Sequence, residues 1–192
     1  MQTGIILQAR CNSKRLPNKV IRNIKHKPIL ELIIERLQNI PHTKLIVATT
    51  KSKDDDEICK ICIKNDVPFY RGKKNDVLSR YYEITSKYKL KTIIRTNADC
   101  PFLDKNMIKK MIAIFKKKKY DYFSNILEPS FPSGMHIEIF NKKTLNRAHK
   151  EAISISDREH VTPYIYKNRK KFYSGSFKNN KDLSFHRWTI DY

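Results

Sequence analysis

Residues 8–20, QARCNSKRLPNKV, carry Arg10, Lys14, Arg15 and Lys19 and not one acid, and they follow directly on the apolar run GIILQA. Guanidinium groups bind phosphate oxygens through a planar fork, and ammonium groups act as compact point charges. Arg10, Lys14, Arg15 and Lys19 could together surround a polyphosphate. It contains neither G-x-G-x-x-G nor G-x-x-x-x-G-K-[ST], and the chain has only four glycines. Cradling by backbone amides is therefore disfavoured and side chains must do the binding. Pro17 stiffens the loop. A solvated basic loop in a basic protein is the competing reading of the same residues.

A second polar cluster, RTNADCP at residues 95–101, follows the apolar run TII. Asp99 in it is a candidate Mg²⁺ ligand. Mg²⁺ commonly takes one or two protein carboxylates and completes its shell with water and substrate phosphates. A second carboxylate is then expected, and Asp191, at the end of RWTID, is the candidate. Either aspartate alone could equally be a turn or cap residue.

These clusters need elements to hold them. Apolar strand patterns fall at residues 4–10, 44–48, 67–70, 92–96, 121–125, 136–140, 171–177 and 184–190. Helical patterns fall at 28–39, 54–65, 76–88, from a cap at Asp104 to about 115, then at 144–153 and 158–168. Pro28 opens the first helix, and acids gather at the start of the second, where the helix dipole favours them. Strands alternating with helices predict an α/β layered fold with a mainly parallel sheet. Ligands of such sheets bind beyond the carboxyl ends of the strands, where both polar clusters lie. No linker or repeat divides the 192 residues, which reads as one domain, 1–192.

Composition bounds the partners. Apolar residues make up 40% and no run is long enough to span a membrane. The first residues already show a strand pattern and no signal peptide, so the expected location is cytoplasmic. The net charge of +21 comes mostly from lysines spread along the whole chain. Aromatic residues are not interleaved with them as RNA recognition requires, so nucleic acid is not favoured, though charge alone does not choose the partner. Cys59 and Cys62 form a C-x-x-C, but no second pair completes a zinc site. Their helical spacing with Ile58 and Ile61 places both on a buried helix face.

Taken in order, IILQARCNSKRLPNKV, IVATTKSKDDDEI, FYRGKKNDVLSRYY, IIRTNADCPFLD, DYFSN, FPSGMHIEIF, DREHVTPYI and RWTID span nearly the whole chain. Together they resemble the cytidylyltransferase-like family named for spore-coat polysaccharide biosynthesis, related to the CMP-sialic acid and CMP-KDO synthetases. The resemblance implies a three-layer α/β/α nucleotidyltransferase fold of the glycosyltransferase-A type. It implies CTP as donor, a sugar or sugar acid as acceptor, Mg²⁺ as cofactor, and a second copy of the chain as a candidate partner. Carried over position by position, Ala9, Arg10, Ser13, Arg15 and Lys19 form the triphosphate loop, with Arg10, Arg15 and Lys19 stabilising the leaving pyrophosphate. Asn97 and Asp99 match the stretch meeting ribose and metal, and Asp191 matches the distal metal ligand. Arg71, Gly72 and Asp76 border the nucleobase. Glu138, Arg158, Glu159 and His160 fall on the acceptor side.

The sequence departs from the family pattern at three places. Cys11-Asn12 stands where the opening loop usually has a glycine. His136 replaces an acid between Gly134 and Glu138. The chain reaches Tyr192 without the family's C-terminal segment, and Phe185, Trp188 and Ile190 are then expected to anchor a last strand carrying Asp191. Two other activities fit parts of the pattern. One is a nucleotide-sugar-dependent glycosyltransferase on the same fold, against which Asn97 counts, because the D-x-D pair is missing. The other is a basic nucleic-acid-binding module, for which binding would fall steeply with salt.

Overall fold

The computed structural model describes residues 2–13 and 15–191; Lys14, counted among the loop cations, lies outside them. The chain runs β1 (Thr3–Gln8), β2 (Asn23–Ile24), β3 (Lys27–Pro28), α1 (Ile29–Leu37), β4 (Thr43–Thr50), α2 (Asp56–Lys64), β5 (Phe69–Gly72) and α3 (Val77–Lys87). It continues with β6 (Thr92–Asn97), α4 (Lys105–Lys118), β7 (Tyr122–Ser124), β8 (Glu138–Asn141), α5 (Lys142–Glu151), α6 (Ile155–His160), α7 (Pro163–Lys167) and β9 (Ser174–Ser176). Seven strands form one sheet in the order β5-β4-β1-β6-β8-β7-β9, and β2 with β3 makes a small separate hairpin. The pairs β1–β4, β1–β6, β4–β5 and β7–β9 are parallel, and β8 runs antiparallel between β6 and β7.

Strand residues alternate between two cores, which is why the central strands read as unbroken apolar runs. Ile5, Leu7, Leu45, Val47, Ile94 and Ile139 pack with α1, α2 and α4 on one face. Ile6, Ile46, Ala48, Ile93 and Phe140 pack with α3, α5 and α7 on the other. The result is the expected three-layer α/β/α arrangement. Cys59 and Cys62 lie buried on α2 with Ile58 and Ile61, as their spacing predicts. Burial pushes the Cys62 thiol up to about 12, so it stays protonated. Among the described residues no helix is long and apolar enough to cross a membrane.

The structure corrects the sequence reading in the last third of the chain. The helix expected over 158–168 is two, α6 and α7. Pro163 cannot continue a helix and instead opens α7, while Val161 between them has φ 74°. Positive φ is strained for a β-branched residue, so the corner is held by its surroundings rather than chosen by Val161. The strand expected over 184–190 is no member of the sheet; one isolated bridge joins Ser133 to Arg187. The segment is instead stitched down by three backbone bonds: Ser133 N–H to His186 O at 2.9 Å, Trp188 N–H to Ser133 O at 2.7 Å, and Ile190 N–H to Asp99 O at 3.0 Å. Phe185 and Trp188 are 75% and 40% exposed, so they are not the expected anchors, whereas Ile190 does pack on the core. Gly134 permits the close approach. Its φ is 105°, and a Cβ there would meet the Trp188 carbonyl at 2.7 Å.

Candidate active site

The loop after β1 is shaped by one buried acid that sequence reading passed over. Asp55, just before α2, accepts hydrogen bonds from Cys11 N–H at 2.7 Å and Thr50 N–H at 3.1 Å, and from the Thr50 hydroxyl. It thereby ties the loop to the end of β4. The carbonyl of Cys11 then receives the amides of Ser13 and Asn18, both at 2.8 Å. Asn18 turns the chain with φ 59°, a conformation asparagine tolerates, and Lys19 starts a single turn of 3-10 helix. The Cys11 side chain points into the core. Burial first, and Asp55 second, raise its thiol to about 12, so it is structural rather than reactive.

This loop faces the end of β6 across a cavity of about 250 Å³. Arg10, Ser13, Arg15, Lys19, Asn97, Asp99 and His160 all line it, together with Gln8, Val20, Arg95 and Ala98. Ala9 lies beneath, buried, with its N–H donated to Ala48 O at 3.0 Å. The cations face acids. Lys19 Nζ is 2.6 Å from Asp99 Oδ2, Arg15 is 3.0 Å from Asp191, and Arg10 is 3.6 Å from Glu159. Asp191 also binds Arg187 and accepts from the Thr189 hydroxyl at 3.0 Å. Burial works to raise its carboxyl, but these hydrogen bonds and the charges of Arg15 and Arg187 outweigh it and hold it below the ordinary value.

Other expected site residues lie elsewhere. Arg71 donates to Thr50 O at 2.8 Å and Ser52 O at 2.6 Å and pairs with Asp56 at 2.6 Å, so it braces β5 against α2 and does not line the cavity. Gly72 ends β5, where a Cβ would run into Arg80. Asp76 caps α3 through Ser79 N–H at 3.0 Å and takes Arg158 at 2.8 and 3.1 Å, so the nucleobase and acceptor candidates are here bound to each other. Glu138 is 2% exposed, paired with Arg95 and accepting from Tyr122 Oη at 2.6 Å. Two donors on neighbouring strands hold it beside Arg95, which lines the cavity, and Glu138 itself is not among the lining residues.

The cytidylyltransferase family profile matches residues 4–188. The chain belongs to the cytidylyltransferase family. It is 31% identical over 166 residues to the spore coat polysaccharide biosynthesis protein SpsF of Bacillus subtilis, covering 83% of this chain and 68% of that one. It is 31% identical over 150 residues to a 3-deoxy-manno-octulosonate cytidylyltransferase of Wigglesworthia glossinidia brevipalpis, covering 76% of this chain and 56% of the relative. A cytidylyltransferase structure from Leptospira borgpetersenii superposes with a TM-score of 0.96 at 33% identity, over 100% of this chain and 82% of that one.

A cytidylyltransferase of this type invites the question of metal. Among the described residues no three His, Cys, Asp or Glu groups gather where they could hold an ion by themselves. The candidate donors are two carboxylates: Asp99, which lines the cavity, and Asp191, which does not line it but whose segment is joined to Asp99 by the bond from Ile190 N–H to Asp99 O. That set fits Mg²⁺ sharing its shell with phosphate and water, and does not fit an all-protein cage. Besides Asp55, sequence reading missed Gln8 and Arg95 in the cavity lining of this cytidylyltransferase. The signal for both was their place at the carboxyl ends of β1 and β6.

Proposed function

We propose that this cytidylyltransferase transfers the cytidylyl group of CTP to a hydroxyl of a sugar or sugar acid, releasing pyrophosphate, in the assembly of a surface polysaccharide or glycoconjugate. The observation that carries the reading is the single cavity that sets Arg10, Ser13, Arg15 and Lys19 against Asn97 and Asp99. A relative named as a 3-deoxy-manno-octulosonate cytidylyltransferase and another named for spore-coat polysaccharide support the acceptor class.

In this reading the acceptor oxygen attacks the α-phosphorus, the bond from that phosphorus to the bridging oxygen breaks, and pyrophosphate departs with the electron pair. Arg10, Arg15 and Lys19 bind the β- and γ-phosphates and take up the negative charge that develops there. Their side chains leave Glu159, Asp191 and Asp99 to do so. Mg²⁺, when bound through Asp99 and Asp191, supplies further neutralisation of the donor phosphates. In this reading His160, which lines the same cavity, accepts the acceptor hydroxyl's proton. Asp76 and Arg158 act at one remove, fixing α3 to α6 and so the position of His160. Most of the rate enhancement comes from positioning and charge complementarity.

The test is pyrophosphate release with each of the four nucleoside triphosphates and a panel of sugar acids, with and without Mg²⁺. Release that requires CTP, an acceptor and Mg²⁺ is expected. No release with any acceptor, or equal rates with all four nucleotides, would overturn the reading.

A further inference from the structure

The two ends of the sheet differ in how their cations are matched. In the cleft at the carboxyl ends, Lys19, Arg15 and Arg10 each face an acid. At the opposite end β6 starts at Thr92 and β8 finishes at Asn141, and these two are register partners. A mostly apolar cavity of about 730 Å³ opens there, with Phe115 and Tyr120 in its lining. Lys91, Lys116, Lys119, Lys142 and Lys143 share that lining. Among the described residues none of the five makes an ion pair. The one acid of the lining, Asp121, is already committed, accepting from Asn141 Nδ2 at 2.9 Å and from Tyr173 N–H at 3.0 Å.

Local structure explains only part of this cluster. The dipole of α4 favours Lys116 and its neighbours in that helix's last turn. Lys142 and Lys143 stand in the first turn of α5, which has no acid, and there the dipole opposes them. Lys91 is drawn in beside them by the bond from Lys142 N–H to Lys91 O at 3.0 Å. Like charges gathered on an apolar floor without acids to match them fit a partner that is both anionic and apolar. A nucleic acid matches the charge but not the floor. Tyr120 already packs on Phe123 at 5.1 Å and on Tyr173 at 4.8 Å, so its ring is not free to stack on a base. An anionic phospholipid brings both chemistries, a phosphate headgroup with hydrocarbon next to it. We propose that this end of the sheet docks on a bilayer surface rich in anionic phospholipid. The lysines meet the headgroup phosphates and the apolar floor takes the adjoining lipid carbons. The 14 residues of α4 set this face about 21 Å from the start of that helix near Asp99, so the cleft points away from the bilayer and stays open.

The experiment is flotation of the full chain with vesicles at physiological salt. One set is phosphatidylcholine alone and the other is equal parts phosphatidylcholine and phosphatidylglycerol, with a short DNA duplex assayed alongside. The chain should bind the phosphatidylglycerol vesicles and not the neutral ones. A surface lysine is worth about fivefold in partitioning onto anionic lipid, so Lys142→Gln combined with Lys143→Gln should weaken binding by about tenfold or more. Lys142→Arg combined with Lys143→Arg keeps the charge and should retain it. Lys51→Gln combined with Lys53→Gln removes as much charge just beyond the carboxyl end of β4 and should change binding by about twofold or less. Trp188, the single tryptophan, lies in the segment bonded to Asp99, so nitroxide-labelled headgroups should leave its emission unquenched in the bound state. No binding to anionic vesicles, equal losses from the two glutamine pairs, or quenching of Trp188 overturns the proposal. A chain that binds the duplex and not the vesicles overturns it too, and makes the face a nucleic-acid surface.

Discussion

Lys19 Nζ and Asp99 Oδ2 stand 2.6 Å apart, joining the loop after β1 to the loop after β6 across 80 residues of sequence. The pair closes the two halves of the cavity on each other, and the proposed reaction gives each member a second task.

Replacing Lys19 with Ala removes a charge-assisted phosphate contact, worth roughly 1.5–3 kcal/mol. CTP affinity should fall by about tenfold or more, as titration calorimetry would read directly. Equal affinities for parent and variant would remove Lys19 from the phosphate site.

Asp99→Asn keeps the shape of the side chain and deletes its charge. Mg²⁺-dependent turnover should be lost while the circular dichroism spectrum stays that of the parent. A variant that turns over CTP at the parent rate would leave Asp99 as a structural partner of Lys19 and nothing more.

Glu138 separates a structural role from an acceptor contact. Arg95 faces it at short range, and its side chain is only 14% exposed. Removing one partner of a buried pair strands the other, at a cost of roughly 3 kcal/mol or more. Glu138→Ala should therefore lower the urea midpoint strongly. A raised acceptor KM with an unchanged midpoint would instead return Glu138 to the acceptor wall.

Asp76 carries a pH signature. Burial raises its carboxyl, but the hydrogen bonds from Arg158 and Ser79 prevail and hold it below the ordinary 3.8. A depressed folded-state value means that its stabilisation is complete above the unfolded-state value and disappears as pH falls through the folded one. Asp76→Asn keeps the helix cap and deletes the charge. It should lower Tm at pH 7 by roughly 2–4 °C, corresponding to about 1 kcal/mol. The difference should start to shrink as pH drops through 3.8 and vanish once pH is below the depressed folded-state value. A difference that persists in acid would place the effect in the cap rather than in the ion pair.

The sheet was legible because strands buried on both faces advertise themselves as apolar runs, as in GIILQA, and because Asp104 announces the helix between two of them as its cap. The cleft was legible because both polar clusters directly follow such runs. The last third was not. Residues 184–190 alternate like a strand, yet their backbone bonds go to Ser133 and Asp99 in loops, and no local pattern encodes which distant loop will meet a segment. The partners of Glu138 and Arg71 were not legible for a related reason. A motif fixes where a side chain sits along the chain, whereas the partners that turn it inward, Arg95 and Tyr122 for one and Asp56 for the other, come from different elements.

The pairing of Lys19 with Asp99, of Arg15 and Arg187 with Asp191, and of Arg10 with Glu159 would make the cleft behave, in the proposed reaction, as an ion exchanger. A triphosphate entering alone draws away the cations and leaves carboxylates bare; a divalent cation entering alone does the reverse. Entering together they swap partners, and charge stays balanced throughout. Binding of the two is then cooperative, and by reciprocity each tightens the other by the same factor. Because the cleft's own charge is largely cancelled, the affinity for magnesium-bound nucleotide should depend on salt far less than the +21 of the whole chain suggests.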